Sequence, residues 1–126
     1  MSTLDEAKLL QSRTKAFAIR IIKAFARLPR GEAVRVIGRQ FLRSGTSLAA
    51  NYRAVCPARS AADFISKISV VVEETDETIF WLELLVEAEL VTSTVVEWLM
   101  KECEELLKIC SASLATAKRN RKSLNR

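Results

Sequence analysis

A chain of 126 residues that is 49% hydrophobic and 28% charged, with three Gly and two Pro, can hide about two thirds of its unfolded surface in a single core without disulfide or metal. It contains no His, which removes Ser-His-Asp and Cys-His nucleophile activation and every His-ligated metal site. Its net charge of +5 conceals three blocks: residues 1–59 carry twelve Lys or Arg against three acids, residues 60–105 carry two against twelve, and residues 106–126 carry six against none.

The first helix is expected to start at Ser2 or Thr3, where Thr3 and Glu6 form a capping-box pattern, and to stop near Leu28, before Pro29-Arg30-Gly31. Along it Leu10, Phe17, Ile21, Phe25 and Leu28 share one stripe, with Arg13, Arg20, Lys23 and Arg27 on the other side. In the second block Val34, Ile37, Phe41, Leu48 and Tyr52 repeat the spacing of a buried seam, and the block ends near Val55, before Cys56-Pro57. Gly45 lies on that seam. Gly in a helix interior costs about 1 kcal/mol against Ala, so its expected use is to admit a neighbouring helix at close range.

The third helix is expected from Ser60, with Asp63 as its capping partner, to about Glu89. Phe64, Ile68, Val71, Val72, Thr75, Ile79, Leu82 and Val86 form its core stripe. Val70, Trp81, Leu84 and Ala88, with Phe80 alongside, make a second apolar patch that a lone bundle would leave uncovered, and they are the predicted oligomer interface. The fourth helix is expected from Thr94, with Glu97 as box partner, and buries Val96, Leu99, Met100, Cys103, Leu107, Cys110 and Leu114. The bundle domain is placed at residues 1–117 and a frayed basic tail at 118–126, KRNRKSLNR. The only β-branched run, Ile68 to Val72, sits inside a helical pattern, so no strand is predicted. Short connections between four helices predict an all-α, antiparallel up-down-up-down four-helix bundle.

Two readings compete for the basic surface. Lys and Arg are either the solvated sides of amphipathic helices, partly neutralised by acids of the third helix, or a nucleic-acid footprint. The candidate footprint is Arg13, Arg20, Lys23 and Arg27 on the first helix and Arg35, Arg39 and Arg43 at four-residue steps on the second. Aromatic residues interleave poorly with these cations, so contacts are expected to go to the phosphate backbone and not to bases. Glu73, Glu74, Asp76 and Glu77 spread around most of their helix; a solvated face or an intersubunit partner for arginines competes there with a carboxylate-held Mg²⁺. Cys103 and Cys110, seven apart, read as core thiols, and no catalytic residue, cofactor or metal ligand is assigned. Gln40, Ser44, Ser47 and Asn51 form a polar seam expected to fix helix register or a subunit contact.

Three Cys without a C-x-x-C pair suit a reducing compartment. The opening MSTLDEAKLL lacks the basic and apolar runs of a signal peptide, and no uncharged apolar run approaches the ~18 to 20 residues of a membrane span. A cytoplasmic, membrane-free protein is expected.

Gln40-Phe41-Leu42-Arg43-Ser44-Gly45-Thr46-Ser47-Leu48-Ala49-Ala50-Asn51-Tyr52, followed by Ser60-Ala61-Ala62-Asp63-Phe64-Ile65 and Glu73-Glu74-Thr75-Asp76-Glu77-Thr78, resembles the bacterial four-helix bundle proteins encoded in intervening sequences of 23S ribosomal RNA genes. The likeness runs from about Phe17 to Leu114, and its most specific part is Q-x-x-R-S-x-x-S-L-x-x-N. Where many relatives carry Ile-Ala-Glu after the Asn, this chain has Tyr52-Arg53-Ala54, a more basic helix end. The resemblance implies a homopentameric ring of antiparallel bundles without established enzymatic activity. It also implies a fold similar to the accessory protein of diversity-generating retroelements, which partners a reverse transcriptase and binds nucleic acid.

The expected function is therefore a non-enzymatic homo-oligomeric bundle that binds structured RNA or DNA through the basic faces of its first two helices. The alternative is a protein-interaction scaffold or accessory subunit for a reverse transcriptase or ribosome-associated protein. A third reading, a carboxylate-metal hydrolase, would depend on Glu74 or Glu77.

Overall fold

A computed structural model describes residues 3–124, with side chains from 5 to 122. It consists of four helices: α1 (Thr3–Ala26), α2 (Glu32–Val55), α3 (Ala61–Glu87) and α4 (Ser93–Leu124). Five-residue connections occupy 27–31, 56–60 and 88–92. Such links return the chain beside itself, and the cross-helix contacts run in opposite senses along each pair. Gly38 meets Phe25 and Leu28 while Gly45 meets Ile21; Arg43 reaches Glu77, and Cys103 reaches Thr75. Each helix packs on the next, and α1 closes on α4 through the smallest of the four helix contacts. The fold is an antiparallel four-helix bundle.

Phe17 and Ile21 of α1, Val34, Phe41 and Leu48 of α2, Leu82 and Leu85 of α3, and Val96, Leu99, Cys103 and Leu106 of α4 form the larger buried cluster. Tyr52, Val55, Ile68, Val71 and Cys110 form a second cluster toward the other end. The apolar stripes predicted from periodicity face these clusters. The stripes omitted Leu85, and placed Leu107 where the fully buried residue is Leu106. They also missed Thr14 and Thr78, which enter the interior because a helical threonine can return its hydroxyl to a carbonyl of the preceding turn. Thr14 Oγ1 donates to the Gln11 carbonyl at 3.0 Å, and Thr75 Oγ1 to that of Val71 at 2.6 Å.

The helix ends follow local chemistry. Ser60 Oγ accepts from the Asp63 amide at 3.1 Å, as the capping pattern predicts, but the Asp63 carboxylate returns to the amide of Arg59, at 3.0 Å. That bond and the neighbouring Lys67 ammonium hold the half-buried Asp63 carboxyl below its ordinary range. Gly31 precedes α2 with φ of 151°, a conformation that L side chains rarely adopt. At the start of α4 the expected box shifts: helix begins at Ser93, Thr94 lies inside it, and Glu97 pairs with Lys101 at 3.3 Å. The start of α1 predicted at Ser2 or Thr3 concerns side chains outside the described residues.

The C-terminal boundary needs correction. α4 does not fray after Ala117 but continues as helix to Leu124. No Gly or Pro interrupts it, Ala, Lys and Arg are good helix formers, and Arg121 and Lys122 in the last turn complement the helix dipole. Lys118, Arg119, Arg121 and Lys122 are all exposed.

The polar seam of α2 divides. Thr78 Oγ1 of α3 donates to the Glu74 carbonyl at 2.7 Å and shares a hydrogen bond of 2.9 Å with Ser44 Oγ, so the Ser44–Thr78 pair locks the α2–α3 register inside the core. Asn51 instead donates to Ser47 Oγ and its carbonyl, both at 2.9 Å, and Gln40 accepts from Arg43.

Cys103 and Cys110 are buried and Cys56 is exposed. Burial pushes the Cys110 thiol up to about 11 and moves Cys103 in the same direction. Burial likewise raises the Tyr52 phenol to about 12. Each group is more easily deprotonated in the unfolded chain, so its stabilisation is complete below the unfolded pKa and falls as pH rises above it, from about 8.5 for the thiols. A thiol reagent at neutral pH is expected to modify Cys56 alone until denaturant is added. The urea midpoint is expected to drop between about pH 8.5 and 11, less steeply when Cys103 and Cys110 are replaced by Ala.

Candidate nucleic-acid interface

The seven cations proposed from the sequence separate into three sets. Arg13 crosses from α1 to α4 and grips Glu102 with both arms of its guanidinium, Nε donating to Oε2 at 2.8 Å and Nη2 to Oε1 at 2.7 Å. Arg43 crosses from α2 to α3, donating from Nη1 to Glu74 and from Nη2 to Glu77. The hydrogen bond that Arg13 donates to Glu102 raises the Arg13 pKa, and the one that Arg43 donates to Glu77 raises the Arg43 pKa. The bidentate Arg13–Glu102 pair fixes orientation as well as charge, and Arg43 bridges two carboxylates. Arg13 therefore ties the thin α1–α4 seam, and Arg43 ties α2 to α3.

The two carboxylates under Arg43 respond oppositely. Its hydrogen bond pulls the Glu77 carboxyl below the usual range, whereas burial raises Glu74 despite the same guanidinium. Glu77 thus stabilises the fold above the unfolded carboxyl pKa of about 4.3 and loses that contribution in acid; Glu74 works in the reverse direction. Glu74 and Glu77, the named candidates for a metal-dependent reaction, converge on an arginine.

Lys23, Arg27, Arg35 and Arg39 are exposed, and among the described residues no carboxylate forms an ion pair with them. Because Gly38 packs on Phe25 and Leu28, these four lie at one end of the bundle, where α1 closes and α2 opens. The stripe of Arg35, Arg39 and Arg43 is not straight. Four-residue steps advance 40° past a full turn, which carries Arg43 round to α3 while Arg35 stays on the α1 side. Arg20 is occupied differently: its guanidinium carbon lies 4.3 Å from the centroid of the Trp98 ring on α4. Periodicity could not reveal this pair, since the partners are on different helices. Lys15 and Arg53, absent from the predicted footprint, line a groove of about 440 Å³ between α1 and α2 with Gln11, Ser12, Ala49 and Ala50.

A family model described as 23S rRNA-intervening sequence protein matches residues 8–112, which reach into all four helices. The chain belongs to that family. A crystal structure of a protein with unknown function from the S23 ribosomal protein family of Bacteroides thetaiotaomicron is similar to it at 35% identity with a TM-score of 0.76, over 82% of this chain and 96% of that one. No curated protein matches the chain.

Beyond the match, this intervening-sequence family member continues α4 through the basic turns of 113–124. The predicted oligomer patch is only partly free in the protomer. Phe80 is 50% exposed and Val70 37%, and Ala88 is exposed at the end of α3, but Leu84 is half-buried. Trp81 does not point away from the core: it is half-buried, packs on the main cluster, and meets Phe80 edge-on with ring centroids 5.0 Å apart. Its flank of α3 also carries Glu74 and Glu77, which α2 covers through Arg43. Trp81 Nε1 is buried, and its N–H helps to lower the Glu77 carboxyl. Exposed apolar side chains also occur on the other helices, including Leu9, Ile19 and Ile22 of α1, Val36 of α2 and Val95 of α4. Among the described residues no helix is long and apolar enough to cross a membrane.

Proposed function

We propose that this protein is a non-enzymatic homo-oligomer that binds structured RNA or DNA through phosphate contacts. The observation that carries the reading is the cluster of Lys23, Arg27, Arg35 and Arg39 at one end of the bundle, exposed and without a carboxylate partner among the described residues. Arg13 and Arg43 leave the footprint because their charges are matched inside the protomer. Membership in a family described by 23S rRNA intervening sequences supports an RNA setting. The exposed Phe80 and Val70 on α3 support self-association, since an apolar patch of this kind is stabilised by a partner. Repetition in an oligomer, a pentamer by family resemblance, multiplies a modest cationic patch into a multivalent one.

The test is the affinity for an RNA hairpin or DNA duplex as a function of salt. Four phosphate contacts predict a slope of about −3.6 for log affinity against log salt on B-form DNA, from about −0.9 per contact. An affinity that is absent at low salt or indifferent to salt overturns the reading. Sedimentation at micromolar concentration is expected to give a species heavier than the 14.1 kDa chain.

A protein partner is the second reading, favoured by a groove of about 380 Å³ between α3 and α4. Val86, Val96 and Met100 line it with Glu83, Glu87, Glu104 and the Glu97–Lys101 pair, a net acidic setting for a basic, amphipathic segment. A stoichiometric protein that co-purifies after nuclease treatment, and is lost when Glu83 and Glu87 become Lys, would support this reading.

A further inference from the structure

Trp98 is an exposed aromatic ring that packs against Arg20, on the helix that also carries the unpaired Lys23 and Arg27. It lies near the start of α4, and α1 supplies two supports for it. The Arg20 guanidinium lies 4.3 Å from the indole centroid, and the Phe17 ring lies 6.5 Å away at an interplanar angle of 25°. Phe17 and Arg20 are three residues apart on one helix, so both hold the ring from the α1 side. Phe17 is fully buried, which anchors the support, whereas Trp98 is 44% exposed. Val95, one turn earlier, is 61% exposed and extends the apolar surface.

The charges around the ring are unbalanced toward the positive. Glu97 is paired with Lys101 at 3.3 Å, and Glu102 with Arg13 at 2.7 Å. Glu105 also acts on Arg13. Glu97 and Glu102, the acids flanking Trp98 on α4, are therefore paired, while among the described residues Lys23 and Arg27, which continue along α1 from Arg20, form no ion pair with a carboxylate. At 1.5 Å per residue they lie about 5 and about 10 Å beyond it along the helix axis, a reach suited to successive phosphates of one strand.

We infer that Trp98, backed by Arg20 and Phe17, is a stacking platform for an unpaired nucleobase whose flanking phosphates contact Lys23 and Arg27. Every base has a π-face, so stacking on an indole is tolerant of sequence. Unpaired bases in loops and bulges are the part of a structured RNA open to such a ring, because paired bases are stacked on one another. The inference rests on the proposed nucleic-acid binding and deepens it. It adds a preference for strands with unstacked bases over fully paired duplex, where phosphate contacts alone predict no such preference.

The experiment compares Trp98→Ala and Trp98→Phe with the wild-type full-length chain, using a short single-stranded oligoadenylate and a fully paired RNA duplex as probes. Trp98→Ala is expected to weaken oligoadenylate binding about tenfold, with Trp98→Phe restoring most of it and duplex affinity changing less than about twofold. In a Trp81→Phe background, where Trp98 is the sole indole, emission is expected to be quenched by oligoadenylate and to be unaffected by protein concentration without it. Equal weakening for both probes, or none for either while duplex still binds, overturns the stacking site and leaves phosphate binding standing. Emission that changes with protein concentration alone assigns Trp98 to an interface between copies, which also overturns it. Absence of binding to both probes at low salt overturns the proposed function together with this site.

Discussion

Gly45→Leu is expected to destabilise the bundle by about 3 kcal/mol, the upper range of overpacking a filled core. A Cβ at Gly45 would lie 2.8 Å from Cγ1, 2.9 Å from Cγ2 and 3.0 Å from Cδ1 of Ile21. Ile21 is fully buried and branched at Cβ, so it has neither space nor a second low-energy rotamer in which to withdraw. Even Gly45→Ala is expected to cost about 1 kcal/mol net, the clash exceeding the ~1 kcal/mol that Ala gains over Gly in a helix. Gly38→Ala is the control. Its nearest obstacle, at 2.7 Å, is Cδ1 of half-buried Leu28, the end of a flexible side chain, so that substitution is expected to be neutral or stabilising. In an Ile21→Ala background the obstructing atoms are gone and Gly45→Ala is expected to become stabilising. Urea unfolding of the two single variants and the double variant measures the coupling. Equal effects at Gly38 and Gly45 would refute the close α1–α2 approach.

Charge reversal of Lys23, Arg27, Arg35 and Arg39 together is expected to remove the salt-dependent part of nucleic-acid binding. With four phosphate contacts, raising salt from 50 to 200 mM lowers wild-type affinity on B-form DNA about 150-fold; the reversed variant is expected to bind weakly at both concentrations. The effect should be uniform across sequences, because phosphate contacts carry no base information. Arg13→Gln with Arg43→Gln removes two positive charges as well, yet is expected to change affinity less than about threefold while lowering stability, because these groups answer Glu102, Glu74 and Glu77. Reversal of this order, with Arg13 and Arg43 decisive and the other four dispensable, would move the interface to the α1–α4 and α2–α3 seams.

Much of the architecture is a local property of the chain. The stripes through Phe17 and Ile21, Phe41 and Leu48, Ile68 and Leu82, and Leu99 and Cys103 repeat at the helical period. Pro29-Arg30-Gly31, Cys56-Pro57 and the Ser60 cap divide them. Gly45 was legible for the same reason: a residue with no side chain on a buried seam has few uses other than close approach. The misjudged end of α4 was local as well. A run of basic residues looks like a solvated tail, but its helix propensity and its agreement with the macrodipole outweigh the repulsion among its charges.

The candidate site was legible in its residue types and illegible in its pairings. Arg13 finds Glu102 across 89 positions, and Arg43 finds Glu77 across 34. Trp98 reaches Arg20 from another helix, so the aromatic partner that seemed missing from the cationic face was supplied from α4. Trp81, placed by its own helix on an uncovered face, is partly enclosed because α2 packs beside that flank of α3. Periodicity sets which residues share a face of one helix, since rise and turn are fixed by backbone hydrogen bonds within it. Rotation and register between helices come from side chains interlocking across the core, such as Gly45 on Ile21 and Ser44 on Thr78. Those contacts decide which cations are neutralised and which face outward, and they exist only in the assembled bundle.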